Sequence, residues 1–158
     1  MTWPLRPYRP GDAEALAALF RASARVLGAK AYSPAHVEAW ARHPEDLDEF
    51  RTRLGQGTTL VALDGDSRIG FGQLNPADTV EFLYVAPTHA RRAVAQAIYD
   101  ALEAQARELG TATLHAAASR LSKPFFEKNG WHVVAIDQVA RFGVVFERYR
   151  MRKALDRP

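Results

Sequence analysis

Two arginines, Arg91 and Arg92, stand where a strand-like run from Thr79 to Val85 gives way, past Pro87, to a long helical run. The first turn of a helix already carries about half a positive charge on its free amides, so cations there are unfavourable unless an anion docks. Backbone N–H groups from Arg92 through Ala93, Val94, Ala95 and Gln96 could hold phosphate oxygens, with the two guanidinium groups beside them. Ala93 and Ala95 are small enough for a ligand to approach the backbone. The plain alternative is a solvated helix face whose alanines are simply good helix formers. This segment alone leaves both open.

The strand before it carries Glu81. Strand alternation puts Glu81 on one face with Leu83 and Val85, where burial would raise a carboxylate's pKa and suit it to take a proton. Its plain alternative is a strand-end carboxylate facing water or paired with an arginine. His115, on the next strand, is a rival base. Tyr84 and Tyr99 are possible proton donors, although Tyr99 reads as an outer-face helix residue.

Composition narrows the field. The chain has 158 residues, 47% of them hydrophobic and 25% charged, with a net charge of +3 and no cysteine. One domain spanning 1–158 is expected. Disulfides, thiolate-bound zinc and a cysteine acyl-enzyme are ruled out. The five histidines, His36, His43, His89, His115 and His132, show no i, i+4 pair, and no metal is expected. Positive charge is dispersed except at Arg91-Arg92 and in Arg148-Tyr149-Arg150-Met151-Arg152-Lys153, which reads as the solvated face of a strand; no nucleic-acid partner is expected. No run of about 18 apolar residues exists to span a membrane. The first residues lack the apolar region of a signal peptide, so a cytoplasmic location is expected.

Gly and Pro divide the chain into short elements. Leu5 to Arg9 reads as an edge strand. Asp12 reads as the N-cap of a helix through Leu16, Leu19, Phe20 and Leu27 that stops at Gly28. Ser33-Pro34 starts a second helix containing Val37, Trp40 and Ala41, and Asp46 to Leu54 a third. The period then changes. Thr58–Leu63 and Arg68–Leu74 form a hairpin around Asp64-Gly65-Asp66-Ser67, followed by the strand Thr79–Val85. A helix is expected from Arg91 to Leu109, with Val94, Ile98, Ala101, Leu102 and Leu109 inward and Glu103 and Arg107 outward. A strand from Thr111 to Ala117, a short helix from Ser122 to Asn129 and two strands, Trp131–Val139 and Val144–Met151, complete an α/β layer.

The segment Ala90-Arg91-Arg92-Ala93-Val94-Ala95 resembles the Gln/Arg-x-x-Gly-x-Gly/Ala turn of the GNAT superfamily of N-acetyltransferases. Lys123-Pro124-Phe125-Phe126-Glu127-Lys128-Asn129-Gly130-Trp131 is similar to that family's late Phe-Tyr-Glu-Lys-x-Gly-Phe signature. Arg150-Met151-Arg152-Lys153-Ala154-Leu155 is similar to its Met-x-Lys-x-Leu ending. Tyr32-Ser33-Pro34 with Ala39-Trp40 resembles a small bacterial subgroup. The order and spacing match over nearly the whole chain.

The resemblance implies a mixed, mostly antiparallel sheet of about seven strands flanked by helices, and acetyl-coenzyme A as co-substrate. It implies direct transfer of an acetyl group to the primary amine of a small molecule or peptide. Two strands should splay apart beside the long helix, with Leu83, Tyr84 and Val85 supplying backbone hydrogen bonds to the pantetheine arm. Arg91 to Gln96 would hold the diphosphate and Phe126 would line the coenzyme wall. Glu81 would serve as base. Tyr32, Trp40 and Phe142 would line an acceptor pocket between the early helices and the final hairpin.

Three departures stand out. Ala90 and Ala93 replace the usual Gln/Arg and first glycine of the turn, and Phe126 replaces the tyrosine that often acts as acid. If residue 93 is helical, alanine there costs nothing. These departures keep alive a coenzyme-binding sensor or scaffold of the same fold. An unrelated phosphate-binding domain would need a Gly-x-x-x-x-Gly-Lys loop or Gly-x-Gly-x-x-Gly turn, and the chain has neither. An exposed final strand would allow a homodimer.

Overall fold

The computed structural model describes residues 2–155. Seven strands form one sheet: β1 (Leu5–Pro7), β2 (Thr58–Asp64), β3 (Ser67–Leu74), β4 (Thr79–Val85), β5 (Thr113–Ala118), β6 (His132–Arg141) and β7 (Val144–Ala154). Their spatial order is β1-β2-β3-β4-β5-β7-β6. All neighbours are antiparallel except β4 and β5. The expected α/β architecture is therefore present. The last strand in sequence, β7, lies inside the sheet, and β6 forms the edge. Val134 and Ile136 of that edge strand are exposed.

Five helices flank the sheet: α1 (Ala13–Val26), α2 (Pro34–Trp40), α3 (Leu47–Leu54), α4 (Val94–Glu108) and α5 (Lys123–Lys128). Serine and aspartate start two of them. The Ser33 hydroxyl accepts from the His36 N–H at 3.3 Å, and the Asp46 carboxylate from the Glu49 N–H at 3.0 Å. Asp12 departs from this role. It makes no cap bond, and its buried carboxylate instead receives Arg6 at 2.8 Å, the Arg9 N–H at 2.8 Å and Arg68 at 2.6 Å. One carboxylate thus ties β1, the turn before α1 and β3. The Arg6 hydrogen bonds, reinforced by Arg68 and Arg9 against an opposing burial cost, hold it far below the usual carboxylate range.

The core has two lobes, one on each side of the sheet. Leu16, Leu19, Phe20, Phe50 and Leu54 pack on Val61, Phe71 and Phe82. On the other side Val94, Ile98, Tyr99, Leu102 and Ala106 of α4 pack against Ile69, Leu74, Leu114, Phe126, Trp131 and Met151. Tyr99 is therefore a core residue, not an outer-face one, because its hydroxyl is satisfied by Glu103 at 2.6 Å and by the Trp131 indole at 2.9 Å. Leu109 is 53% exposed; the apolar stripe ends one turn earlier, at Ala106. Glu103 is half-buried, because Lys153 reaches it at 2.7 Å.

Helix α4 lies unusually close to β3. A Cβ built at Gly72 would sit 2.6 Å from the Ile98 side chain, and one at Gly70 would sit 2.9 Å from it. Only glycine fits under the helix at these two positions.

Candidate active site

Strands β4 and β5 pair through Thr79↔His115 and Val80↔Ala116 and then part. Beyond that point β5 continues against β7 as far as Ala118↔Tyr149. β4 continues against β3, where Phe71 faces Tyr84 and Gly70 faces Val85. The V-shaped gap opens into a cleft of about 890 Å³. The Ala86 N–H donates to the Ile69 carbonyl at 2.8 Å. By strand alternation the peptide groups of Tyr84 and Phe82 also turn toward β3, and those of Leu83 and Val85 point into the gap. Of the three residues expected to offer main-chain bonds there, Leu83 and Val85 turn their peptide groups toward the gap and Tyr84 turns its own toward β3. Tyr84 also borders the cleft.

The sheet register changes Glu81's surroundings. Val80 faces Leu74 and Phe82 faces Gln73, which leaves Glu81 as the extra residue of a β-bulge. The bulge breaks the alternation that placed Glu81 with Leu83 and Val85. Its side chain is 35% exposed and sits 3.5 Å from the Arg53 guanidinium, which itself lies over the Phe82 ring at 4.8 Å. Glu81 borders the cleft, but its carboxylate is not in the desolvated setting expected. His115 is exposed on β5 and is not on that lining.

The turn into α4 also differs from expectation. The helix starts at Val94, because Arg91 has φ 60° and Ala93 φ 64°. The first intrahelical bond runs from the Ala97 N–H to the Ala93 carbonyl at 3.1 Å, so the amides of Val94, Ala95 and Gln96 precede the ladder. Arg91, Ala93, Val94, Ala95 and Gln96 all line the cleft. Ala93 is thus not helical and is held in left-handed geometry at a cost of about 1 kcal/mol. Arg92 is absent from the lining. Its guanidinium stacks over Trp3 at 5.0 Å, and its carbonyl accepts the Trp3 indole N–H at 2.7 Å. Nothing in sequence spacing marks Trp3, which is 89 residues from Arg92 in the chain.

Phe126 is buried against Trp131 and Tyr99 while one side borders the cleft. Tyr84 is packed among Phe20, Phe71 and Trp40. Burial pushes its hydroxyl up to about 12, partly offset by a hydrogen bond with Trp40. Burial and the Glu103 carboxylate lift Tyr99 well above the ordinary phenol range, sealed in the core. Of the expected acceptor residues, Tyr32 and Trp40 line the cleft and Phe142 does not. Phe142 caps the β6–β7 turn under Arg42, 4.2 Å away. Phe146, His43, Arg141 and Arg148 also line the cleft. The sequence does not point to these four as a group, and Arg148 reads there only as a solvated strand residue, because they come from a loop and a hairpin brought together only by the fold.

Residues 28–153 match the family model of the acetyltransferase (GNAT) domain. A crystal structure of a GCN5-related N-acetyltransferase from Rhodopseudomonas palustris superposes with a TM-score of 0.93 at 37% identity, covering 98% of this chain and 97% of that one. The uncharacterised N-acetyltransferase YafP of Escherichia coli strain K12 is 30% identical over 148 residues, 94% of this chain and 93% of its own. The PaiA N-acetyltransferase of Thermoplasma acidophilum, solved with coenzyme A, shares the fold at a TM-score of 0.77 and 19% identity, over 98% of this chain and 100% of that one. The chain belongs to the GNAT acetyltransferase family. Its class of activity is that of an N-acetyltransferase.

Proposed function

We propose that the protein transfers an acetyl group from acetyl-coenzyme A directly to a primary amine. The observation that carries this reading is the parting of β4 from β5 beside the unpaired amides of Val94, Ala95 and Gln96. That geometry fits a long ligand with an anionic middle and an extended arm. The helix amides and Arg91 hold the diphosphate, Leu83 and Val85 offer N–H and C=O groups to the arm in the manner of an added strand, and Phe125 and Phe126 form an apolar wall. Acetyl-coenzyme A supplies an activated acyl group and a thiol leaving group.

The chain's own groups handle the protons. An amine with a pKa near ~10.4 must lose one to become nucleophilic. Glu81, at the solvent-open rim of the cleft, receives it directly or through water. Phe126 cannot donate one. A thiol has a pKa of about 8.5, so the sulfur can leave as the anion without a dedicated acid and is protonated afterwards by the buffered solvent. With a pKa of about 12, Tyr84 stays protonated; it can hydrogen-bond an anion but is too weak an acid to transfer its proton fully.

The test is calorimetric titration with acetyl-coenzyme A, followed by a free-thiol assay over a panel of amines. Saturable binding and amine-dependent thiol release are expected. Binding without release would reduce the chain to a coenzyme-binding module. No binding would remove the reading altogether.

A further inference from the structure

The acceptor end of the cleft is walled by rings. Tyr32 packs edge-on against Trp40 at 5.6 Å and against Phe146 at 5.7 Å, and Trp40 lies 6.5 Å from Tyr84. Leu27 and Val139 complete the apolar lining. The Tyr32 hydroxyl accepts the Arg120 N–H at 2.8 Å, so this wall is tied to the loop after β5 and is preformed.

The charges at this end do not cancel. Glu81 is engaged by Arg53 at 3.5 Å. Glu147 is engaged by Arg120 at 3.6 Å and receives the Tyr149 hydroxyl at 3.4 Å. Burial lowers the pKa of His43, reinforced by Arg141. Arg141 and Arg148 also line the cleft, and among the described residues neither has an ion-pair partner. Arg141 donates only to the Ala140 carbonyl, at 2.8 Å. Asp137 stands opposite Arg148 across the β6–β7 ladder, but its carboxylate lies 3.8 Å from Arg150. The β5–β7 pairing ends at Tyr149, which puts Arg148 just past the end of β5, at the mouth of the V. Two guanidinium groups beside an aromatic wall suit a ligand that is both apolar and anionic.

Building on the transferase reading above, we infer that the acceptor amine also carries a carboxylate and an aromatic body. An aromatic amino acid is the simplest such molecule. Its ring lies against Tyr32, Trp40 and Phe146, and its carboxylate faces Arg148 with Arg141 beyond. Its amine points toward the gap between β4 and β5. In the transfer a bond forms between the amine nitrogen and the acetyl carbon as the carbon–sulfur bond breaks. Sulfur leaves with the electron pair, and the amine proton goes to Glu81 or water. A purely cationic acceptor such as a polyamine would meet repulsion at the same place.

Matched pairs test this: tryptophan against tryptamine and phenylalanine against phenethylamine, each differing by the carboxylate alone. With acetyl-coenzyme A saturating, kcat/KM for the acid is expected to exceed that for its decarboxylated partner by about tenfold or more, the scale of one charge-assisted hydrogen bond. Arg148→Ala should collapse that ratio toward one and Arg148→Lys should restore part of it; both changes are at an exposed side chain. A ratio of one or below in the unaltered protein overturns the inference. So does a ratio that survives both Arg148→Ala and Arg141→Ala. If other amines release thiol and neither member of a pair does, this inference fails and the transferase reading stands. If acetyl-coenzyme A does not bind, both fall.

Discussion

The indole N–H of Trp3 donates to the main-chain carbonyl of Arg92 at 2.7 Å, linking residues 89 apart in sequence. The bond fixes the peptide between two left-handed residues, Arg91 and Ala93. With that carbonyl drawn toward Trp3, the neighbouring amides are free to face the cleft. His89 braces the same indole edge-on at 5.5 Å and is held by Asp64 at 2.9 Å. Trp3→Phe keeps most of the buried ring and removes the donor. Its expected effect is a lower Tm, from the loss of about 1–1.5 kcal/mol for one hydrogen bond, together with weaker coenzyme binding as the turn loses its anchor. Calorimetry and a thermal melt on the same variant check both halves.

The two arginines of the turn should separate cleanly. Arg91 borders the cleft while Arg92 stacks on Trp3. Arg91→Ala should weaken coenzyme binding several-fold, and more at low ionic strength, since an exposed charge contact is screened by salt. Arg92→Ala should have the smaller effect. Equal losses would place both side chains on the diphosphate.

At Ala93 the prediction concerns backbone strain. A residue with φ 64° accommodates glycine without the cost that a Cβ incurs. Ala93→Gly should raise stability by up to about 1 kcal/mol and should not weaken coenzyme binding. A urea melt and a titration measure the two effects. A destabilised glycine variant would mean that the turn is not left-handed in solution.

Glu81→Gln should lower kcat with the coenzyme Kd unchanged. The bulge leaves this side chain outside the folded core, so the variant should melt at the same temperature. A pH–rate profile identical to that of the unaltered protein would take the proton-accepting role away from Glu81.

Asp12 gives a pH prediction with a definite sign. Its folded pKa is depressed below the ordinary 3.8 by Arg6 and Arg68. The pair's stabilisation is therefore present above about pH 4 and drains away as pH falls below that value toward the lower folded pKa. Asp12→Asn should cost about 3 kcal/mol at neutral pH, because Arg6 and Arg68 lose a buried counter-charge. The gap between the two proteins should narrow as the unfolding series is carried to acid.

Much of the sheet was readable from alternation and punctuation. Thr58 to Leu74 turns on Asp64-Gly65, and each of the seven strands overlaps its expected span. The order of the last two strands was not readable, because a hairpin can add to a sheet by either strand. Glu81's orientation was missed because a bulge leaves no mark on apolar periodicity. The start of α4 was misplaced by three residues, since arginine and alanine favour helix locally and only the fold holds Arg91 and Ala93 at positive φ. Trp3 escaped notice, and Arg148 read only as part of a solvated strand face, for a common reason: their placement depends on contacts between distant parts of the chain. That the turn into α4 and the Phe125-Phe126 pair border one cleft follows from contiguous residues, and both were legible as candidate segments.

The missing side chains of Gly70 and Gly72 set how deeply α4 beds into the sheet. The first turn of that helix also lines the cleft where the diphosphate is proposed to sit. A methyl at position 72 would meet Ile98 at 2.6 Å, and the rod would have to ride outward, lifting its leading amides away from the ligand. Grip on the coenzyme is therefore adjustable from two positions that never touch it, hidden beneath the helix.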